Sequence, residues 1–272
     1  MSTRPPDRFA HALDEAVALH PAGPGRWAGR TAPAYWNIVG PFGGWSVALL
    51  LQAVLNEPGR HGDPLGMTAN LMARVEEGPL DVLTRCVRTN RSTEFWDAEM
   101  RQGDAAYAQA MVTLGQRPEA TDAFLEARAP DAPAPETLAP QDRSGIGLRW
   151  LERYEFRPVA GASSQEGGST RTVHWMREVD GRALDFTGLA ACCDAIVPRI
   201  WLHAGGVRPV STISLNIYFH ATAAGLEAAG DDYLLVEAIG RRGHRGMFDH
   251  AATIWSRAGE LLATTEQIAW YK

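Results

Sequence analysis

An aspartate set in a run of small apolar residues is the first feature of this chain that could do chemistry. The stretch GLAACCDAIVPRIW, Gly188 to Trp201, has the spacing of a buried helix followed by a proline stop, and Asp194 sits near its end. An ionised carboxylate in such surroundings is costly unless it is paired or hydrogen-bonded. Either it caps or pairs locally with Arg199, about one turn on, or it is held there for use. The adjacent Cys192 and Cys193 are poor nucleophile candidates, because a buried thiol is ordinarily a small hydrophobe and no histidine pairs recognisably with them. No G-x-S-x-G elbow is present, and GPFGGW lacks both the Walker lysine and dinucleotide spacing. HRGMFDH, His244 to His250, would turn His244, Phe248 and His250 to one strand face only if no bulge intervenes, and it reads as packing against aromatics. No metal site is expected.

Such a group needs elements to position it. Two helices with apolar stripes are expected, GGWSVALLLQAVL (Gly43 to Leu55) and TGLAACCDAIV (Thr187 to Val197). After each comes a strand, MTANLMAR (Met67 to Arg74) or ISLNIYFH (Ile213 to His220). A turn then leads to LDVLTRCVRTN or YLLVEAIGRRG. The third strands lie in STEFWDAEMRQGD and GMFDHAATIWSRAGE, the last in AAYAQAMVTLG and LLATTEQIAWYK. Met1 to Trp36 and Gly145 to Val179 would supply an opening strand to each half, and RTVHWMREV alternates as required. The class is α+β: each half is one helix wrapped by a long antiparallel sheet, and the two sheets join side by side. A Pro- and Ala-rich stretch from Arg117 to Arg143 reads as a linker between repeats at 1–116 and 144–272.

Aligning the halves makes the polar oddities legible. Gly44 set against Gly188 puts Asp194 opposite Leu50. A gapless match of the first strands, sharing Asn70 and Asn216, puts Thr212 opposite Gly66. Counting from Gly103 and Gly259 puts Gln267 opposite Met111. Three positions are thus polar in the second half only, where helix and sheet should meet, which is the pattern of a site built in one half.

These segments are also where the chain resembles a known family. The Asp194 helix with its proline, STISLNIYFH and GELLATTEQIAWY look like the C-terminal repeat of the double-hotdog acyl-CoA thioesterases of the thioesterase II type. FGGWSVALLLQA and VRTNRSTEFWDAEMRQGDAAYAQAMVTLG look like the N-terminal repeat. The resemblance implies a double hotdog fold, acyl-CoA as substrate in lipid metabolism, no cofactor, and an attacking water held by Asp194, Thr212 and Gln267. Asp194 would act as general base or orient the water. The backbone N–H groups of Gly43, Gly44 or Gly188 are candidate donors to the oxyanion. Arg88, Arg91, Arg241, Arg242 and Arg245, near strand turns, are candidates for the CoA phosphates or are ordinary solvated residues. Two alternatives stay open: a non-catalytic acyl-CoA or lipid-binding protein, and an enoyl-CoA hydratase, for which Asp194 lacks a histidine close by in sequence.

Composition narrows the partners. Twenty-six basic against thirty-two acidic residues, a net charge of −6, offers no electrostatic reason for a nucleic-acid partner. Three cysteines, two of them adjacent, suggest no disulfide framework, and no apolar run approaches a membrane span. A cytoplasmic protein is expected. Exposed outer sheet edges point to a homodimer.

Overall fold

The computed structural model describes residues 10–38, 40–118, 122–143, 145–161 and 168–272. Residues 1–9, 39, 119–121, 144 and 162–167, which include parts of both expected repeats and of the linker, lie outside them. The first half runs α1 (Ala12–Ala16), β1 (His20–Gly23), β2 (Arg26–Arg30), α2 (Gly43–Leu55), β3 (Asp63–Leu71), β4 (Pro79–Thr89), β5 (Thr93–Gln102) and β6 (Ala105–Gly115). The second runs β7 (Tyr154–Ala160), β8 (Thr172–Glu178), α3 (Phe186–Cys192), α4 (Arg199–His203), β9 (Val210–Phe219), α5 (Ala223–Ala229), β10 (Leu234–Ile239), β11 (Gly243–His244), β12 (Met247–Trp255) and β13 (Leu261–Tyr271).

Period-two burial builds a single antiparallel sheet from these strands. In β5, Glu94, Trp96, Ala98 and Met100 turn inward while their neighbours face out. The strand order is β1-β2-β4-β5-β6-β3-β9-β13-β12-β10-β8-β7, with β11 beside β12. The halves meet at β3 and β9, where Thr68 pairs Asn216 and Asn70 pairs Ser214. Helix α2 is apolar nearly all round because sheet covers it on one side and α3 packs against the other. This is the expected α+β architecture, a double hotdog in which the strands of each half wrap one central helix, α2 or α3, within a shared sheet.

Four local expectations change. The second helix ends at Cys192, and Asp194 lies in the turn beyond it, with its N–H donated to Ala191 O and its own carbonyl accepting from Ile196 N. Strand β8 is buried on both faces because Ala129, Ala132 and Leu138 of the Pro- and Ala-rich segment pack over its outer side, and Trp175 Nε1 donates to Pro133 O. A helix, α5, fills what reads as a plain turn between β9 and β10.

The fourth change is the alignment of the halves, and β-bulges decide it. Leu65 is an extra residue in β3 against β6, and Ile213 is the extra residue in β9 against β13. A second pair of irregularities falls at Met100/Arg101 and Ile254/Trp255. Superposing the bulges sets Thr212 against Pro64, not Gly66, and Gln267 against fully buried Val112, not Met111, which points outward and is 56% exposed. The counterparts are still apolar. A gapless match could not register this, because a bulge adds a residue without changing the strand's composition.

Candidate active site

Gln267 is the hub of the site. It lies on the inner face of β13, buried, with Nε2 donating to Asp194 Oδ1 at 2.7 Å and Oε1 accepting from Thr212 Oγ1 at 3.1 Å. Thr212 reaches this face because of the bulge at Ile213. In β9, Leu215, Ile217 and Phe219 point inward, and strict alternation would carry Ile213 in and Thr212 out; the extra residue reverses the parity. The chain thus brings together three residues that are up to 73 positions apart.

The other wall of the site comes from the first half. Asp194 stands at the N-terminus of α2, where Phe42, the N-cap, supplies no side-chain acceptor. A Cβ on Gly43 would lie 2.6 Å from Asp194 Oδ2, so only glycine admits the carboxylate at that distance. The Gly44 backbone N–H lies close enough to the carboxylate to favour its ionised form. The unsatisfied N–H groups and dipole of a helix N-terminus favour an anion there. Burial works against this. Desolvation pushes Asp194 up from its ordinary 3.8 to about 7, with Gln267 and the Gly44 N–H pulling partly back. The carboxyl is therefore poised to exchange a proton near neutrality.

These groups open on a cavity of about 370 Å³ whose wall includes Gly43, Ser46, Asp194, Thr212, Gln267 and His250. The family profiles of acyl-CoA thioesterases match the same chain over both halves, the N-terminal domain at residues 32–115 and the C-terminal domain at 126–271. The chain belongs to the acyl-CoA thioesterase family. These are thioester hydrolases. Among solved structures, a hot dog fold protein of unknown function from Alicyclobacillus acidocaldarius is 34% identical, with 96% of this chain and 98% of that one covered and a TM-score of 0.92. The tesB protein of Mycobacterium avium subs paratuberculosis is 19% identical over 96% and 98% of the two chains, TM-score 0.78. Acyl-CoA thioesterase II TesB2 of Mycobacterium marinum is 15% identical over 96% and 98%, TM-score 0.74. Those two likenesses are of fold. No curated protein matches the chain.

The same cavity also sorts the remaining candidates. Gly43 lies in its wall, and as the first residue of α2 its N–H has no intrahelical acceptor. Gly188 is at the far end of α3, where its N–H is spent on the Asp185 N-cap at 2.7 Å, so it offers nothing to the site. None of the five arginines singled out in the sequence lines the cavity. Arg88 bonds Asn90, Arg241 is held by Asp249 and Glu266, and Arg91, Arg242 and Arg245 are exposed turn residues. The arginine in the wall is Arg74, in the β3–β4 loop.

His250 is the residue that sequence reasoning passed over. It pairs across the sheet with Gln267, shares its inner face with Phe248, and is 4% exposed, with no hydrogen-bond partner at either ring nitrogen. Burial and the charge of Arg199 hold it well below its usual range, at about 3, with the neighbouring Gln267 side chain pulling partly back, so the imidazole is neutral with one donor and one acceptor. Its partner His244 is exposed on β11, so the two do not converge. Cys192 and Cys193 are buried beneath the site, with thiol pKa values pushed far up by desolvation, which removes them as nucleophiles. Among the described residues no group of three or more His, Cys, Asp or Glu side chains is arranged to hold a metal, and no helix is long and apolar enough to cross a membrane.

Proposed function

We propose that this thioesterase cleaves an acyl-CoA to free acid and CoA with a water held by Asp194, Thr212 and Gln267. The observation that carries the reading is a buried carboxyl with its pKa near 7, tied to Gln267 and facing a cavity. The water donates one hydrogen to the Asp194 carboxylate. Thr212 Oγ1, which gives its own hydrogen to Gln267 Oε1, accepts the other. The water oxygen attacks the thioester carbon as its proton passes to Asp194, and the oxyanion takes hydrogen bonds from the Gly43 N–H and the neutral His250 ring. Collapse breaks the C–S bond, and the thiolate of CoA leaves with the proton held on Asp194.

Asp194→Ala should abolish thiol release while folding and acyl-CoA binding persist; full hydrolysis by that variant would sink the assignment. A non-catalytic binding module would instead bind acyl-CoA and release no thiol. One observation gives the hydratase reading a foothold, because His250 supplies in space the histidine that Asp194 lacks in sequence. Loss of the enoyl absorbance of crotonyl-CoA would establish that activity. The reading keeps the cytoplasmic setting, on three free cysteines, and the homodimer, on the sheet edge at β1.

A further inference from the structure

Beside the cavity that holds Asp194 lies a second one of about 190 Å³, and Leu148, Trp150, Pro198 and Trp201 belong to the walls of both. Most of its lining is apolar, yet Arg143, His174 and Arg199 reach it. Arg199 is 2% exposed and bonds the carbonyls of Val197, Thr170 and Ala238 and the Thr172 hydroxyl. Arg143 lies 3.7 Å over the Phe156 ring and gives Nε and Nη2 to Gln141, while its buried Nη1 has no partner. His174, 6% exposed, has Nε2 buried and equally without a partner.

No carboxylate among the described residues compensates either guanidinium. Burial lowers Arg143 to about 10 and Arg199 to about 9, and it holds His174 at about 3. At neutral pH the cavity therefore carries two positive charges and a neutral imidazole. Buried charges are ordinarily paired, because an unpaired one keeps the full cost of its desolvation. An entering anion would find that penalty already met by the fold, with an open donor on Arg143 to receive it.

The approach to these cations is greasy. Leu148, Trp150, Val197 and Leu202 suit methylene groups and would strip water from the ribose and diphosphate of CoA without replacing it. Arg199 is five residues from Asp194, which limits their separation to about 17 Å of extended chain. We propose that this second cavity receives the far end of the substrate's acyl group, past the shared wall, and that this end bears a carboxylate held by Arg143, Arg199 and His174. The inference rests on the thioesterase reading and names its substrate class: CoA thioesters of dicarboxylic acids.

The test compares suberyl-CoA with octanoyl-CoA, matched in chain length, using the full-length protein, Arg143→Gln, Arg143→Lys and His174→Phe, with melting curves to verify folding. Wild type should prefer suberyl-CoA. The ratio of kcat/KM for suberyl-CoA to octanoyl-CoA should fall at least tenfold in Arg143→Gln, less in His174→Phe, and recover in part in Arg143→Lys. Equal loss on both substrates would assign the anion site to the phosphates of CoA and overturn the proposal, as would a wild type without preference. If neither thioester is cleaved, the hydrolase reading fails on its own, and calorimetry with free suberate and neutral octanamide still decides the pocket. Suberate binding that is lost in Arg143→Gln supports it; suberate bound no more tightly than neutral octanamide refutes it.

Discussion

The proton on Asp194 offers the most direct measurement of how the site works. With the carboxyl at about 7, its ionised share climbs from about 9% at pH 6 to about 91% at pH 8, so a rate that depends on the carboxylate gains roughly tenfold across that window. Gln267→Leu removes a 2.7 Å charge-assisted bond worth about 1.5–3 kcal/mol. At about 1.4 kcal/mol per unit, that should move the acid limb up by roughly one to two units, to between about 8 and 9. The rate at the plateau will also fall, because Gln267 holds Thr212, so the position of the limb and not its height is the readout. Initial rates of thioester loss from pH 5.5 to 9.5 for wild type and Gln267→Leu measure it. A wild-type profile flat through neutrality, or a limb unmoved in the variant, would refute the reasoning. The sign for stability is opposite to that of a surface aspartate. A folded pKa raised above the unfolded value stabilises the fold below about pH 4 and is lost as pH rises through 7, about 4 kcal/mol in all. Asp194→Asn should therefore melt higher than wild type at pH 8.

Three further outcomes follow from neighbouring contacts. Gly43→Ala drives a methyl into Asp194 Oδ2 and should lower kcat about a hundredfold through misplacement, with the fold retained by circular dichroism; an unchanged kcat would contradict the packing. His250→Phe replaces two unpartnered nitrogens with an apolar ring and should gain about 1–2 kcal/mol in urea unfolding while losing roughly tenfold in kcat; undiminished kcat would reduce His250 to core filler. Iodoacetamide on the native protein should alkylate exposed Cys86 and spare Cys192 and Cys193, which mass spectrometry reads directly; labelling of either would mean the turn bearing Asp194 opens.

Much of the architecture was legible because period-two and period-3.6 patterns survive in the chain. The paired helices, the long strands and the side-by-side joining of two halves follow from residue types alone. The site was legible to a lesser degree and for a different reason. Asp194 stands out as a carboxylate among alanines and cysteines, and the family resemblance supplies Thr212 and Gln267, but nothing in ISLNIYFH announces a bulge at Ile213. His250 was hidden because a histidine among aromatics on a strand reads as packing, and its lack of partners is a property of three dimensions. The arginines singled out in the sequence do not line the cavity, for the converse reason. Charge near a turn is the ordinary state of a solvated surface, whereas Arg199 and Arg143 lie in segments read as a helix end and a linker.

The asymmetry between the halves comes down to two helix N-termini. The repeated fold offers two such places, each with unsatisfied N–H groups that attract an oxygen. At α3 the chain fills the place itself: Asp185 caps the helix, bonds the Gly188 N–H, and is held by Arg182, which also binds Asp14. At α2 the cap is Phe42, whose ring instead stacks on Trp150 at 4.3 Å, and the glycines behind it leave the N–H groups open to a carboxylate from the other half. A site at α3 would need its capping aspartate removed, a carboxylate in place of Leu50 and polar residues at Pro64 and Val112, the last two positions being built into the sheet. Confinement of the polar trio to the second half is thus only part of the design. The aspartate belongs to one repeat, but the helix terminus beside it belongs to the other, so the proposed site draws on both halves.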